Sequence, residues 1–471
     1  MLTGMLVDGS KEFIDLLVAR VGAHGIRTDA DAIDDESHDE ALGAEAVKPL
    51  AVVLPESTDQ VADVLRTCAE HRVPVAARGT GSGLSGACIP PDGGVVVSFQ
   101  RMNRVHEIDE ETHLAVVQPG VQLDQLDAVL AEVGLAYPVY PGEYSATIGG
   151  NIATNAGGMQ AVKHGVTRQH VLGLELALAT GEVIRTGGRI VKASSGYDLT
   201  QLVIGSEGTL ALVTEATLKL VPRPAFSATV LAPFPTLDEV ASAVPKVITS
   251  GLAPSILEYI DMLTMAAIQR EYGLELGIPD DVQATALAYL VVRMESDHDD
   301  RLDADVQAVA ELLVELGAAD VYVLPSNAAA QLIAAREKAF WLAKSSGADD
   351  IVDIAVPRRA IPEFMTKARA IGEANGAWIA GCGHAGDGNV HLAVFQKDPD
   401  ARKRLMLELF AVGIELGGVI SGEHGIGITK KPYFIALEDP TKIELMRRIK
   451  RVFDPVGILN PGKIFDMEDS P

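Results

Sequence analysis

Short apolar runs and helix-like spacing alternate along the first half of the chain. Residues 51–54 and 73–77 are apolar runs typical of buried strands. Between them, Ser57 and Gln60 fit an N-terminal capping box, and apolar residues then follow at helical spacing. This order predicts a strand–helix–strand unit that leads into a glycine-rich loop. Further elements are predicted as strands at 95–99, 115–118, 174–179 and 210–220 and as a helix over 123–133.

The second half shows longer helical periodicities separated by β-rich runs. Apolar residues recur at helical spacing between Leu302 and Leu316, and residues 334–344 are strong helix formers. Residues 286–293 and 390–395 are predicted strands. We therefore predict an α+β fold in which helices cover an antiparallel sheet.

Prolines and turn-rich segments along the chain predict four parts. We expect a helical lead-in over residues 1–45 and a first domain over 46–224, which ends at the two prolines Pro222 and Pro224. A second domain should follow over 225–450. The turn-rich residues 451–471 are expected to return to the main body.

Composition excludes several classes of protein. The formal charge of −26 argues against a nucleic-acid partner, which would need a basic face. Three scattered cysteines exclude a cysteine-ligated iron–sulfur cluster within the chain. We find no apolar run long enough to span a bilayer and no secretory signal, and we expect a cytoplasmic protein. The acidic stretch 29–40 is interpreted as a solvated connector.

Two glycine-rich pieces near the C-terminus carry candidate metal ligands. His384 and His391 flank a Gly-Asp-Gly turn, and a separate Gly-Glu-His-Gly piece carries Glu423 and His424. The turn can bring both imidazoles to one point, where Glu423 could supply a third ligand. Two histidines and one carboxylate suit zinc, manganese or iron and leave positions open for a substrate. Either histidine alone would be an ordinary turn residue, but the combination favours a site.

Three glycine-rich segments lie in the first predicted domain, at 78–86, 147–158 and 205–210. The first contains Gly-x-Gly-x-x-Gly, but Pro90 and Pro91 follow too closely for the helix that a dinucleotide-binding Rossmann loop must open. The loop can still present backbone N–H groups to a pyrophosphate. Its glycines also permit positive φ and close approach of a ligand.

These segments resemble the FAD-binding domain of the vanillyl-alcohol oxidase/p-cresol methylhydroxylase superfamily. The late His384–His391 and Glu423–His424 pieces resemble its D-2-hydroxy-acid dehydrogenase branch, which includes the flavin subunit of glycolate oxidase, D-lactate dehydrogenases and D-2-hydroxyglutarate dehydrogenase. The resemblance covers about residues 46–466 and implies a two-part FAD-binding domain followed by an α+β substrate domain. It does not define one substrate.

The resemblance implies a set of FAD-binding residues. The loop from Arg78 to Gly86 would wrap the pyrophosphate, and this loop contains no histidine that could attach FAD covalently, so we predict dissociable FAD. The full implied set is Arg78, Gly79, Thr80, Gly81, Ser82, Gly83, Leu84, Ser85, Gly86, Pro141, Gly142, Thr147, Gly150, Asn151, Thr154, Gly157, Glu207, Gly208 and Asn460.

The catalytic assignment combines the resemblance with acid–base chemistry. His384, His391 and Glu423 are expected to hold a divalent metal, zinc first and manganese or iron as alternatives. His424 is expected to be the general base, because an imidazole titrates near neutral pH. A third metal nitrogen, or a hydrogen bond that orients Glu423, is the alternative for His424.

Substrate binding is assigned from the resemblance to Arg336 and Asn389. A guanidinium suits a carboxylate because it can bind both oxygens. Phe340 and the segment 352–357 lack the hydroxyl and lysine that 2-hydroxyglutarate enzymes carry, which favours glycolate, D-lactate or a longer monocarboxylate.

The expected reaction is FAD-dependent oxidation of a D-2-hydroxy acid to the 2-oxo acid. The alternatives are D-2-hydroxyglutarate dehydrogenase, a metal-free flavoprotein alcohol oxidase and a non-catalytic flavin-binding subunit. An electron acceptor is required, and quinone, electron-transfer flavoprotein, cytochrome, iron–sulfur subunit and oxygen all stay open. A homodimer also stays open, as does a peripheral position at the membrane through such a partner.

Overall fold

The computed structural model describes residues 6–467. Its first sheet is small and mostly parallel. The helix Thr58–His71 connects two of its parallel strands, and the side chain of Ser57 accepts the N–H of Gln60 at its start, which agrees with the predicted cap. In spatial order the strands are Ile26–Arg27, Val52–Val53, Val95–Ser98 and Val75–Arg78.

A five-stranded antiparallel sheet packs beside the first sheet. Its order does not follow the sequence, because the strand Leu212–Lys219 returns to the centre between two earlier strands. In spatial order the strands are Val105–Asp109, Leu114–Val117, Leu212–Lys219, Val171–Ala177 and Val183–Gly187. The short strands Leu135–Ala136 and Val221–Pro222 pair separately.

A seven-stranded antiparallel sheet forms the second half of the molecule. This confirms the predicted α+β class with its antiparallel sheet. In spatial order the strands are Tyr322–Leu324, Phe226–Phe234, Ala288–Ser296, Ile256–Asp261, Trp378–Gly383, Asn389–Phe395 and Asp350–Ala355.

Helices cover the seven-stranded sheet unequally. One face is buried against the helices Leu237–Thr249, Asp299–Glu315, Ile361–Ala374 and Pro399–Glu415. The opposite face packs at one side against Met262–Tyr272, Ser326–Glu337 and Ala339–Ser345. Its remaining part is open toward the glycine-rich loops. Side chains alternate between faces along a strand, so this open part carries every second residue of 351–355, 378–382 and 389–395.

The remaining helices are mostly short and, apart from Asp280–Thr285, lie in the first half or at the C-terminal end. They are Leu6–Val21, Ala30–Asp35, Leu123–Ala131, Ile148–Thr154, Ala161–His164, Thr167–His170, Leu199–Val203, Asp280–Thr285, Lys431–Leu437 and Pro440–Phe453. The predicted helix over 334–344 is in fact two helices that meet at Lys338.

The acidic stretch 29–40 was wrongly predicted to be solvated throughout. Ser37 and Asp39 are buried, and the guanidinium of Arg78 reaches Glu36 with Nε 2.5 Å from Oε2. The same guanidinium lies within hydrogen-bond distance of the carbonyl oxygens of Asp35 and His38. A buried arginine needs such partners, which explains why this acidic segment packs onto the body.

The C-terminal segment returns to the first sheet. Leu459 forms a parallel bridge with Val75, and the amide of Asn460 bonds the carbonyl oxygens of Ala87 and Glu207. This contact ties the first and third glycine-rich segments together.

Candidate active site

A cavity of about 740 Å³ lies between the glycine-rich loops and the open face of the seven-stranded sheet. One wall contains most of the residues that the sequence assigned to FAD. The opposite wall contains Arg336, His384, His391, Glu423 and His424. The structure therefore brings the two predicted halves of the site together around one space.

The glycine loops form a wall with exposed backbone. Gly81 and Gly142 adopt positive φ, at 78° and 81°, and both line the cavity. Asn151 also lines it; its side chain is 2% exposed, and its Nδ2 has no hydrogen-bond partner among the described residues. A buried amide nitrogen without a partner is costly, so this wall suits a ligand with polar acceptors.

Four predicted cofactor residues are not on the cavity wall. Ser85 places its Oγ 3.0 Å from the carbonyl oxygens of both His424 and Gly425. Gly86 adopts a positive φ of 77°, and Asn460 donates to the carbonyl oxygens of Ala87 and Glu207. A Cβ on Gly157 would lie 2.9 Å from Oε2 of Glu423, so this glycine leaves room for the candidate metal ligand.

Glu207 lines the cavity but uses its carboxylate for another segment. Its two oxygens accept the backbone N–H groups of Ile426 and Gly427, both at 2.7 Å. Together with Ser85, Glu207 fixes the loop that carries Glu423 and His424 against the glycine-rich wall. The position of His424 therefore depends on the predicted FAD-binding domain.

The three predicted metal ligands converge. Nε2 of His384 and Nε2 of His391 lie 3.1 Å and 3.2 Å from the same oxygen, Oε1 of Glu423. Burial opposes ionisation of Glu423, but the two histidines outweigh it and hold the pKa of that carboxyl well below its usual range. The three donor atoms lie within 4.8 Å of one another, close enough to share one cation.

Glu258 is a buried carboxylate behind the metal ligands. Its Oε1 lies 2.7 Å from Nδ1 of His384, so both nitrogens of that imidazole face a carboxylate oxygen. Burial opposes a charged imidazole, but Glu258 and Glu423 outweigh it and raise the pKa of His384 well above its usual value. The site therefore favours a positive charge, which a proton or a metal cation could supply.

Arg336 is buried beside Glu258 and lines the cavity. Its Nη2 lies 2.7 Å from Oε2 of Glu258 as an ion pair, but the N–H direction is unsuitable for a hydrogen bond. Nε and Nη2 consequently have no hydrogen-bond acceptor among the described residues. These two nitrogens form one edge of the planar fork, which can bind both oxygens of a carboxylate.

Asp353 is the second buried carboxylate behind the site. It accepts hydrogen bonds from Ser421, Asn389, Lys430 and the backbone N–H groups of Glu423 and His424. Burial opposes its ionisation, but His424, Lys430 and His391 outweigh it and hold the pKa of Asp353 well below its usual range. This carboxylate fixes the backbone of the Glu423–His424 pair.

His424 lies on the cavity wall, stacked on His391 with ring centroids 5.1 Å apart. Its Nδ1 is 3.7 Å from Asp353. Burial lowers the pKa of His424 to about 4, and Lys430 and His391 act in the same direction against the opposing effect of Asp353. The imidazole is therefore neutral at neutral pH and can accept a proton.

Asn389, which the resemblance assigned to substrate binding, uses its amide nitrogen within the protein. Its side chain is buried and donates to Oδ1 of Asp353 at 2.8 Å and to the carbonyl of Ile354 at 3.2 Å. It does not line the cavity. Its contacts thus act on the site through Asp353.

Sequence reasoning missed Glu258, Asp353 and Lys430. Asp353 and Glu258 each lie inside a mostly apolar strand, where an interior carboxylate is a signal that sequence alone could have given. Lys430 follows the Gly-Glu-His-Gly piece but carries no pattern of its own. All three act on the site through other residues.

Comparison with known families agrees with this arrangement. Residues 49–187 match the family described as "FAD binding domain", and residues 223–464 match "FAD linked oxidases, C-terminal domain". The chain therefore belongs to the family of FAD-linked oxidoreductases, and the resemblance found in the sequence is confirmed.

Individual relatives share most of their length with this chain. The chain is 57% identical to the FAD-linked oxidoreductase Rv2280 of Mycobacterium tuberculosis (strain ATCC 25618 / H37Rv), over 92% of this chain and 95% of the relative. It is 40% identical to the glycolate oxidase subunit GlcD of Bacillus subtilis (strain 168), over 88% and 89%. It is 36% identical to D-lactate dehydrogenase of Anaerostipes hadrus, over 92% of each.

A solved structure shows the same fold. The crystal structure of p-cresol methylhydroxylase with substrate bound matches with a TM-score of 0.82, at 20% identity over 99% of both chains. Within residues 6–467, none of the helices combines the length and apolar character needed to cross a membrane.

Proposed function

We propose that this protein oxidises a D-2-hydroxy acid to the corresponding 2-oxo acid. The observation that carries the proposal is the Nε–Nη2 edge of Arg336, which makes no hydrogen bond among the described residues and lies on the same cavity wall as the donor cluster and His424. A carboxylate on this edge would leave the adjacent hydroxyl free to approach the cluster. The names of relatives, glycolate oxidase subunit and D-lactate dehydrogenase, support this substrate class.

The first wall fits FAD. Its positive-φ glycines and the unpartnered amide of Asn151 suit a polar, phosphate-containing ligand. Thr80, Ser82 and Thr147 add hydroxyl groups along the same wall. The chemistry that FAD would supply there is an acceptor, its N5 atom, for the hydride that leaves the substrate Cα.

The donor set of the second wall fits a divalent cation. Nε2 of His384, Nε2 of His391 and Oε1 of Glu423 would hold it, and Glu258 would keep the proton of His384 on Nδ1. Two nitrogens and one oxygen suit zinc, with manganese and iron as alternatives. A cation there would act as a Lewis acid on the substrate hydroxyl and make its proton easier to remove.

The chain's own residues would bind the substrate and move one proton. Arg336 holds the carboxylate and so fixes the orientation of the substrate Cα. His424, neutral at neutral pH, accepts the hydroxyl proton. Ser85, Glu207 and Asp353 hold the His424 backbone in place while the proton moves.

Anaerobic bleaching of the flavin tests the proposal directly. The purified protein is mixed without acceptor with D- and L-forms of 2-hydroxy acids, and loss of the flavin absorbance is followed. D-acids should reduce the flavin and L-acids should not. If no 2-hydroxy acid reduces it but phenolic or sugar alcohols do, a metal-free alcohol oxidase is the correct assignment.

A further inference from the structure

An apolar strip leads away from the candidate metal ligands on the open face of the seven-stranded sheet. Ala393 lies opposite Ile351 on one neighbouring strand and opposite Ala380 on the other. Phe395, two residues further on, lies opposite Trp378. We call Ile351, Trp378, Ala380, Ala393 and Phe395 the apolar strip.

The strip is continuous with the site because of the strand register. His391 lies two residues before Ala393 on the same strand, opposite Cys382 and Asp353. Side chains two residues apart share a face, at a rise of about 3.3 Å per residue. The strip therefore begins ~7 Å from His391 and ends ~13 Å from it.

All five strip residues line the cavity. Trp378 is 63% exposed, and its ring lies 6.1 Å from that of Phe395. The side chains of the two alanines are small, so the middle of the strip is a shallow groove between Ile351 and this aromatic pair. None of the five carries a charge, so a ligand lying on them would meet apolar surface.

Helix residues close the strip from the side of Arg336. Phe340 and Trp341 follow Arg336 and line the same cavity, with ring centroids 5.4 Å apart. Besides the hydrogen that is transferred, a substrate held at its carboxylate by Arg336 and at its hydroxyl near His391 has one remaining substituent on Cα. The apolar strip lines the same cavity and begins two residues from His391, so it is available to this substituent.

We infer that the substrate is a D-2-hydroxy acid with an extended apolar side chain, and that the apolar strip binds this side chain. The inference rests on the proposed function and narrows it. The ~7 Å between His391 and the first strip residue exceeds the reach of a methyl group and is bridged progressively as the side chain lengthens. Glycolate and D-lactate are too short to use it.

A basic residue, Arg270, also lines the cavity and favours a different substrate side chain, one that ends in a carboxylate. Arg270 is exposed, lines the cavity and could attract a second carboxylate at the far end of a substrate. It lies on the helix Met262–Tyr272 and not on the strip. D-2-hydroxyglutarate and D-2-hydroxyhexanoate have similar lengths but differ in the charge at the end, so they separate the two cases.

The test compares kcat/KM for glycolate, D-lactate, D-2-hydroxybutyrate, D-2-hydroxyhexanoate, D-3-phenyllactate and D-2-hydroxyglutarate on the FAD- and metal-loaded enzyme. Each methylene buried on the strip should raise kcat/KM about fourfold, until the strip is filled. D-2-hydroxyhexanoate should therefore exceed D-lactate by more than tenfold and should also exceed D-2-hydroxyglutarate.

Two variants and a control test whether the apolar strip causes the preference for longer side chains. Ala393→Leu should fill the strip and abolish the advantage of D-2-hydroxyhexanoate over D-lactate. Trp378→Ala, at an exposed position that should not disturb folding, should lower kcat/KM for D-3-phenyllactate more than for D-lactate. Ala370→Leu, on an exposed part of the helix Ile361–Ala374, is the matched control and should change neither.

The outcomes separate this inference from the proposed function. If glycolate and D-lactate reduce the flavin but longer apolar acids react no faster, the strip does not bind substrate and only the inference fails. A preference for D-2-hydroxyglutarate would likewise overturn it in favour of Arg270. Loss of FAD from Ala393→Leu would show that the strip contacts the flavin. If no 2-hydroxy acid reacts, the proposed function itself is wrong.

Discussion

Glu258 places one carboxylate oxygen 2.7 Å from Nδ1 of His384 and the other 2.7 Å from Nη2 of Arg336. The strand register explains this position. Ile260 pairs with Cys382, and two residues further along the same register Glu258 lies opposite His384. One buried carboxylate thus touches both a candidate metal ligand and the candidate carboxylate-binding residue.

Replacing Glu258 by glutamine should weaken both metal binding and binding of the substrate carboxylate. The amide cannot hold the proton of His384 on Nδ1 as a carboxylate does, and Arg336 loses the ion pair that positions its guanidinium. Metal affinity should fall about 10–100-fold, the range seen when such supporting partners of metal-bound histidines are lost. KM should rise in the same variant. Metal analysis after dialysis and anaerobic flavin reduction measure the two effects.

A matched control for Glu258→Gln is available on the same sheet. Glu295 is similarly buried and pairs with Lys163 and Arg293, but it does not line the cavity. Glu295→Gln should keep metal content and KM near wild type. Equal effects of the two substitutions would mean that Glu258 serves only the stability of the sheet.

Arg336→Lys should raise KM strongly and leave FAD content unchanged. The ammonium keeps a positive charge beside Glu258 but cannot offer the two parallel N–H groups of the Nε–Nη2 edge. Steady-state kinetics and the flavin-to-protein absorbance ratio measure the change. Wild-type kinetics in this variant would show that another group holds the substrate carboxylate.

The flavin should be released when the protein is precipitated with acid. The loop 78–86 contains no histidine that could form a covalent bond to FAD, although Thr80, Gly81 and Ser82 line the cavity. The supernatant should carry the yellow colour and the precipitate none. Flavin that stays with the precipitated chain would contradict the prediction of dissociable FAD.

The pH dependence of flavin reduction should reflect the lowered pKa of His424. Burial lowers this pKa to about 4, so the imidazole stays neutral above that pH and becomes protonated as the pH falls through it. A general base works only in its neutral form. The rate of flavin reduction should therefore be flat from about pH 5 to about pH 8 and decline below. A decline centred near ~6.5, the ordinary value for histidine, would show that the buried environment does not act on the base.

The sequence predicted those parts of the site whose signals are local. The Gly-Asp-Gly turn between His384 and His391, and the adjacent Glu423 and His424, are visible as short motifs. Glu258 and His384 are 126 residues apart, and only the pairing of two distant strands brings them together. The buried acidic stretch was misjudged for the same reason, because its partner Arg78 lies in another element.

Substitutions of the neighbours Glu423 and His424 should have different effects on metal content and on flavin reduction. Glu423→Ala removes an oxygen that both histidines approach within 3.2 Å, so metal and activity should be lost together. His424→Ala keeps these three donors and should retain metal and FAD, while flavin reduction slows by ~10²–10⁴-fold for a lost general base. The slow rate should recover in part at high pH, where hydroxide can accept the proton.

Stopped-flow flavin bleaching and metal analysis on both variants distinguish the two roles. His424→Gln serves as a second variant, because its amide preserves volume near Asp353 but cannot act as a base at neutral pH. It should retain metal and be as slow as His424→Ala. If His424→Ala loses its metal, this histidine is a ligand, as the alternative from the sequence holds. If either variant reduces the flavin at the wild-type rate, the proton goes to another group.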